Sequence, residues 1–303
     1  MGKTALMLIA ALIALPILVF MFDRPPTPEQ WRMLKSVGEL MLVIVGICFV
    51  VGEITGNVSQ TDKLWSITPV IYAWTFTVKG GMDPRMVLMS LLATIWGARL
   101  TYNFSRHGGY SWKFWTGHED YRWAHVRAKP ELQGALRWKL FHLFFICFYQ
   151  HALLFLISLP IVLAYGAGKP VGSLDCLLAA VFVGLVAIET IADQQQWNFQ
   201  GEKKRRAAAG GKPEGRYARG FIADGLWSRA RHPNYFAEQS IWVTFFLFSV
   251  VAAGGLNWTI TGCLLLMLLF QGSANLKEGI CTRKYPTYPD YAKRTPRFIP
   301  RLF

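Results

Sequence analysis

A polar motif in the last third of the chain holds the residue types best suited to chemistry. It runs Gly-Leu-Trp-Ser-Arg-Ala-Arg-His-Pro-Asn-Tyr-Phe-Ala-Glu from Gly225 to Glu238. We predict that a helix begins at Pro233, because proline is tolerated in a first turn. Arg231 and His232 would then lie at the positive end of that helix, where the backbone amides and the helix dipole favour an anion such as a phosphate.

Carboxylates inside apolar helices are the next candidates. Glu238 shares a helix face with Asn234, four residues earlier. A carboxylate in such a helix is costly without a partner, which makes it a functional candidate. The alternative is an Arg231–Glu238 ion pair that only orients the helix. Glu189 and Asp193 repeat the four-residue spacing, and the polar groups there could bind an amide or a ribose hydroxyl, or simply mark a helix leaving the membrane.

The tail of the chain carries a third polar cluster. Glu278 is followed by Arg283, Tyr285 and a run of tyrosines and basic residues up to Arg294. Arginine and tyrosine side chains could stack on a base and pair with phosphates. A solvated tail at a membrane surface is the alternative.

Long apolar runs must position these side chains. A membrane-spanning helix needs about 20 mostly apolar residues, and eight runs meet or approach that length: 4–22, 40–54, 64–78, 86–104, 141–165, 174–191, 235–253 and 256–271. The third run is short. We therefore predict an all-α polytopic transmembrane bundle of seven or eight spans, forming a single membrane domain over 1–303, with no soluble Rossmann domain.

The basic residues are concentrated in three segments of the chain. The net charge is +14, and segments 104–140, 201–231 and 277–301 hold most of the excess. Under the positive-inside rule these segments are cytoplasmic, and a basic cytoplasmic face makes nucleic-acid binding an unnecessary explanation of the charge. The five cysteines occur singly, and His142 and His151 are nine residues apart on one predicted helix. We therefore predict no metal site.

The order of the C-terminal motifs resembles that of the steroid 5α-reductase superfamily, and most closely its bacterial branch. The likeness covers about 185–303. It extends more loosely over 57–125, through Asn57-Val-Ser-x-x-Asp62-x-x-Trp65, Trp96-Gly-x-Arg99-Leu and Glu119-Asp-Tyr-Arg122. It implies NADPH-dependent reduction of a carbon–carbon double bond conjugated to a carbonyl, in an apolar steroid-like or lipid substrate. We accordingly expect a monomer in lipid, in a bacterial inner membrane, with the cofactor on the cytoplasmic side.

The resemblance also assigns regions and residues. It implies N-terminal helices over 1–55, substrate and catalytic helices over 56–125 and a cofactor-binding region over 185–303. The residues that match positions around the cofactor are Asp193, Arg231, His232, Asn234, Tyr235, Glu238, Arg283 and Tyr285. Glu189 and Gln200 depart from the family pattern, so the preference for NADPH over NADH rests on positive charge and on the likeness.

A proton donor is the last role that the resemblance implies. Polarising the carbonyl oxygen makes the β-carbon electrophilic towards hydride. Tyr102 is the best positional match for the family's donor, and Asp62 for its acidic partner. The alternative for Tyr102 is an aromatic residue at the membrane interface.

Two other functions remain open. Isoprenylcysteine carboxyl methyltransferase-like enzymes share an Arg-His-Pro-x-Tyr segment followed by a glutamate, so an S-adenosylmethionine-dependent membrane methyltransferase is the main alternative. The Glu189-x-x-x-Asp193 pair favours the reductase. A lipid-binding or transport role is the third possibility, although the chain lacks paired helices broken by glycine or proline.

Overall fold

The chain is built from helices. The computed structural model describes residues 2–21, 23–113, 119–210 and 214–301, and no strand occurs within these ranges, which confirms the predicted all-α class. The α-helices are α1 (Gly2–Met21), α2 (Pro28–Thr55), α3 (Gln60–Leu64), α4 (Thr68–Lys79), α5 (Pro84–Arg106), α6 (Tyr121–Arg127), α7 (Ala135–Phe141), α8 (Gln150–Ser158), α9 (Ser173–Ala208), α10 (Leu226–Arg229), α11 (Pro233–Ala253), α12 (Thr261–Lys284) and α13 (Tyr288–Arg294). A π-helix, His142–Tyr149, connects α7 to α8.

Local sequence signals explain where several helices begin. At the start of α2 the Thr27 hydroxyl accepts a hydrogen bond from the Gln30 amide, and the Gln30 side chain accepts one from the Thr27 amide. This capping box satisfies two amide groups that the first turn leaves without a partner. Asp83 caps α5 by accepting from the backbone of Arg85, and α11 begins at Pro233 as predicted.

Among the residues that the structure describes, five helical segments have the length and composition of membrane spans. They are Pro28–Thr55, Ala135–Ala164, Ser173–Ala208, Pro233–Ala253 and Trp258–Lys284. Large apolar side chains on α2 point away from the protein interior, with Ile47 55% and Ile54 79% exposed. An apolar surface of this kind suits contact with lipid and supports the polytopic membrane class.

The count of seven or eight spans is not confirmed. The predicted third span, 64–78, is divided between α3 and α4, and the 12 residues of α4 extend only about 18 Å against a hydrocarbon core of about 30 Å. Helix α5 is long enough, but it is not among the five apolar helices of the described residues, and it carries Arg85 and Arg99. In α1, the segment Ala5–Met21 is apolar but short for a span.

The chain divides into two compact units. The first contains Met1–Phe182 and Trp242–Leu266, and the second contains Val183–Ile241 and Met267–Phe303. A buried ion pair fixes part of the first unit, where Asp175 accepts two hydrogen bonds from the Arg85 guanidinium at 2.8 and 3.0 Å. The second unit contains the C-terminal polar motifs that the sequence singled out.

Candidate functional site

The polar motif lies beside the tail of the chain in the second unit. The Arg231 amide donates to the carbonyl of Pro296 at 2.8 Å, and the His232 amide donates to the carbonyl of Arg297 at 3.0 Å. Helix α11 begins at the next residue, Pro233. The tail therefore occupies backbone donors that the sequence pattern left available for an anion.

Glu278 on α12 is the centre of the site. Its carboxylate accepts hydrogen bonds from Arg231 Nε at 2.9 Å, from His232 Nε2 at 2.9 Å and from Arg297 Nη2 at 2.8 Å. Only 12% of the Glu278 side chain is exposed. A carboxylate buried this far is expensive unless it is paired, and two guanidinium groups supply the pairing.

The ion pair therefore differs from the alternative that the sequence suggested. Arg231 pairs with Glu278, which is 47 residues away in sequence, rather than with Glu238. Two further hydrogen bonds join Arg231 Nη1 to the carbonyls of Ala292 and Thr295, each at 2.6 Å. Most of the Arg231 donors are thus bound within the chain, so this side chain holds the tail against the motif.

The His232 ring is tied to Glu278 and stacked on a tyrosine. A carboxylate can only accept, so the Nε2 hydrogen is donated to Glu278. Burial lowers the pKa of His232 below its ordinary value, and the hydrogen bond to Glu278 offsets only part of that effect. The imidazole stacks on Tyr235 with ring centroids 5.1 Å apart, and the Lys277 ammonium lies 4.6 Å from the centroid of the Tyr235 ring.

Asp193 and Asn234, two residues that the resemblance places around the cofactor, are joined by a hydrogen bond. Asn234 Nδ2 donates to Asp193 Oδ1 at 3.0 Å, which connects the second-unit part of α9 to the first turn of α11. The carboxylates of Glu189 and Glu238, each four residues from a member of this pair, are also buried. Three acidic positions and one amide that are far apart in sequence thus belong to the same pair of helices.

Tyr285 is held by a close backbone approach, whereas Arg283 is exposed on the surface. Gly220 has a φ angle of 80°, and a Cβ atom there would lie 2.4 Å from the Tyr285 ring. Lys203 donates to the Gly220 carbonyl at 2.7 Å and to the Tyr285 hydroxyl at 3.3 Å. Only glycine fits at position 220. Lys203 contacts both the Gly220 carbonyl and the Tyr285 hydroxyl and so holds the tyrosine in place.

A cleft of about 230 Å³ opens in the second unit. Aromatic and aliphatic side chains line one part of it and polar side chains line the rest, and together these residues are Gln195, Asn198, Phe199, Arg216, Ile222, Asp224 and Gly225. The sequence signal that could have indicated this cleft is the run of three glutamines, 194–196, that follows Asp193. Arg216 and Asp224 were missed, because nothing local in the sequence relates them to α9.

Two of the three loosely matched segments of the N-terminal half, 57–65 and 119–122, meet in the first unit. Asp62 Oδ2 accepts hydrogen bonds from the Ser59 hydroxyl and from Trp123 Nε1, both at 2.7 Å. The Ser59 hydroxyl in turn accepts from the Asp120 amide at 2.9 Å. Burial raises the pKa of Asp62, although the Arg122 guanidinium 3.7 Å away opposes that shift.

Tyr102 is not part of this cluster. Its side chain is 68% exposed, and its closest charged neighbour is Arg106, whose guanidinium carbon lies 5.8 Å from the ring centroid. No hydrogen bond joins Tyr102 to Asp62 in the described part of the first unit. The proton-donor role that the resemblance gives to Tyr102 stays a prediction.

Comparison with known proteins identifies a family. The family described as protein of unknown function DUF1295 matches residues 48–295. An uncharacterized protein of Schizosaccharomyces pombe is 38% identical over 280 residues, which cover 88% of this chain and 79% of the yeast protein. A nickel-cobalt-cadmium resistance protein, NccN, of Alcaligenes xylosoxydans xylosoxydans is 29% identical over 92 residues, or 29% of this chain and 39% of that protein. No solved structure matches the chain.

Proposed function

We propose that this chain, which belongs to the DUF1295 family, is an NADPH-dependent membrane reductase. Its substrate would be an apolar, steroid-like or lipid molecule with a carbon–carbon double bond conjugated to a carbonyl group. The Asp193–Asn234 hydrogen bond is the observation that carries the proposal, because it joins two of the residues that the resemblance places around the cofactor. The activity itself is argued by analogy with that superfamily.

The second unit offers groups that suit a dinucleotide. Asp193 and Asn234 provide an acceptor and an amide of the kind that recognise a carboxamide or a ribose hydroxyl. The second unit also carries positive charge at Lys203, Lys277 and Arg283, which would attract the phosphates. The Glu278 network would act as the frame, since it holds Arg231 and His232 in place.

NADPH, when bound, supplies a hydride. The chain must then supply a proton and must polarise the carbonyl group of the acceptor. We keep Tyr102 as the group that donates a hydrogen bond to that oxygen and Asp62 as its acidic support, as the resemblance implies. The Asp62 carboxylate is held in one orientation by Ser59 and Trp123, which suits a positioning role.

The cellular setting is part of the same proposal. Seven or eight spans would place the three basic segments on the cytoplasmic side, where NADPH is available, and the membrane would be a bacterial inner membrane. A methyltransferase would share the Arg-His-Pro-x-Tyr segment. A methyltransferase function assigns no role to Asp193. The hydrogen bond between Asp193 and Asn234 therefore favours the reductase.

Ligand-dependent thermal stability in detergent separates these functions. NADPH should raise the melting temperature of the purified protein, whereas S-adenosylmethionine should not, because only a ligand that binds the folded state stabilises it. A rise with S-adenosylmethionine alone would replace the reductase by the methyltransferase. NADPH oxidation with an apolar cyclic enone then tests the reaction, and no oxidation across a panel of such enones would refute it.

A further inference from the structure

An exposed apolar stripe on the second-unit part of α9 leads into the cleft described above. The stripe consists of residues that recur every three or four positions and therefore share one helix face: Gly184, Ile188, Ile191, Gln195 and Asn198. Ile188 is 39% exposed and Ile191 is 50% exposed. A Cβ atom added at Gly184 would meet no atom within 4 Å, so the surface is open there. This face changes from apolar to polar at Gln195, where the cleft begins.

The stripe is separate from the residues that the proposed function places around NADPH. An α-helix turns by about 100° per residue, so Gln195 lies about 200° and Asn198 about 140° around α9 from Asp193. Asp193 is hydrogen-bonded to Asn234 on α11. A ligand on the stripe would therefore occupy the opposite face of α9, and its binding does not depend on the reductase activity.

The amide side chains of the cleft can donate hydrogen bonds. Gln195 Oε1 accepts from the Leu226 amide at 3.0 Å, and Asn198 Oδ1 accepts from Gln194 Nε2 at 2.7 Å. The oxygen of each amide is thus bonded within the chain, and its nitrogen can donate to a ligand. Gly225, whose φ angle is 59°, allows the close approach, because a Cβ there would lie 2.6 Å from Gln195 Nε2.

Arg216 gives the cleft a positive charge. The other charged residue that lines the cleft, Asp224, pairs with Arg219 at 2.5 Å, whereas Arg216 forms no salt bridge with a carboxylate among the described residues. Arg216 Nη2 donates to the Tyr217 hydroxyl at 2.8 Å, and the guanidinium carbon lies 5.0 Å from the centroid of that ring. The other guanidinium N–H groups suit an anion with several oxygen atoms, such as a phosphate.

The cleft lies at the level of the lipid headgroups along α9. The apolar run of this helix ends at Ile191, and a rise of about 1.5 Å per residue places Gln195 about 6 Å and Asn198 about 10 Å beyond it. The hydrocarbon core of a bilayer is about 30 Å thick, and the headgroup layers add about 5–8 Å on each side. An anion in the cleft would therefore lie just beyond the acyl chains that contact Ile188 and Ile191.

We propose that the stripe and the cleft together bind one anionic phospholipid of the surrounding bilayer. An acyl chain lies along Gly184, Ile188 and Ile191. The phosphate accepts hydrogen bonds from Arg216 and from the amide of Gln195. The cleft volume of about 230 Å³ is below the range of about 300–1,000 Å³ that whole small-molecule ligands occupy, so it suits one headgroup. A headgroup without a cation is preferred, since an ammonium group would be repelled by Arg216.

Lipid-dependent thermal stability of the whole chain in a non-ionic detergent tests the proposal. Dioleoyl phosphatidylglycerol should raise the melting temperature more than dioleoyl phosphatidylcholine at the same concentration, because a ligand that binds the folded state stabilises it. The two lipids have the same acyl chains and both contain a phosphate, so the difference reports the charge of the headgroup. Equal shifts with the two lipids would overturn the proposal.

Arg216→Gln assigns the effect to the cleft. The phosphatidylglycerol concentration that gives half of the full shift should rise about fivefold, the weight of one basic residue beside anionic lipid. Arg294→Gln is the control, because it makes the same substitution at an exposed position of the second unit, and it should titrate as the parent does. An equal loss in both variants would show a general attraction to positive charge and would overturn the proposed site.

Gln195→Glu tests the cleft without changing its arginine. Glutamate keeps an oxygen that accepts from the Leu226 amide but replaces the donor nitrogen by a negatively charged oxygen. Phosphatidylglycerol should then lose its advantage over phosphatidylcholine, and a retained advantage would contradict binding in the cleft. Inorganic phosphate at the same concentration should give no shift in the parent protein. A shift equal to that of phosphatidylglycerol would make the ligand a soluble phosphate and overturn the assignment to lipid.

Discussion

Asn234 and Asp193 are joined by a 3.0 Å hydrogen bond between an amide nitrogen and a carboxylate oxygen. The two residues are 41 positions apart in sequence and lie on different helices. If this half-buried pair contacts the cofactor, Asn234→Ala removes an amide that hydrogen-bonds to it. We expect NADPH affinity to fall by about 1–3 kcal/mol, or about 5- to 150-fold.

Isothermal titration of the variant in detergent measures that change. Gln194→Ala, at the exposed position next to Asp193 on α9, serves as the control and should bind NADPH as the parent does. If Asn234→Ala folds and binds NADPH with parental affinity, the pair is structural only.

Glu278 should dominate the stability of the second unit. Glu278→Gln keeps the size of the side chain but leaves two guanidinium groups facing a neutral amide, so we expect a loss of about 3–5 kcal/mol in the free energy of unfolding. Asp290→Asn is the control, because the Asp290–Lys293 pair is exposed and should contribute at most about 0.5 kcal/mol. Denaturant titration in detergent gives both values, and similar losses would contradict the central role of Glu278.

His232 predicts how stability depends on pH. Its pKa in the folded protein is below the ordinary value of 6.5 because of burial. As the pH falls through 6.5 towards the folded-state pKa, the unfolded chain takes up a proton that the folded chain does not. The free energy of unfolding should therefore decrease over that interval and show no further contribution from His232 above it.

Thermal melting between pH 5 and 7.5 tests this direction. His232→Gln should remove part of the slope, and His125→Gln should keep it. A parent protein that becomes more stable on acidification, with the excess abolished by His232→Gln, would show that the imidazole is charged in the folded state.

Tyr102 has a role in the proposed reaction that one substitution can test. Tyr102→Phe keeps the ring and removes the hydroxyl, so NADPH should still bind while the step that needs a polarised carbonyl slows by about 10²- to 10⁴-fold. A rate within about threefold of the parent would make Tyr102 an interfacial aromatic residue and leave polarisation to another group.

Topology can be tested with reporter fusions. Reporters fused after Ala167 and after Gly255 should be located outside the cytoplasm, because these connections carry almost no charge. Reporters fused after Ala209 and after Arg301 should be located in the cytoplasm, on the same side as the basic segments. An external Ala209 would separate the second unit from cytoplasmic NADPH and would contradict the reductase.

The sequence by itself determined the class of the protein. Long apolar runs are a local property, and lipid accepts only backbone whose hydrogen bonds are satisfied internally, so the runs predicted an all-α membrane protein. The start of α11 at Pro233 was equally local, since it depends on the chemistry of one residue. Local composition did not predict the helix length at 64–78. That run is apolar enough for a span, but helix α4 has only 12 residues.

The tertiary structure decided which polar groups meet. Helix spacing could assign Arg231 to Glu238, yet its partner is Glu278. Asp62 likewise accepts a hydrogen bond from Trp123, 61 residues later in the chain. A helix periodicity relates residues three or four positions apart and carries no information about a carboxylate on another helix. Burial then sets the cost of leaving each charge unpaired, and that cost exists only once the helices have packed.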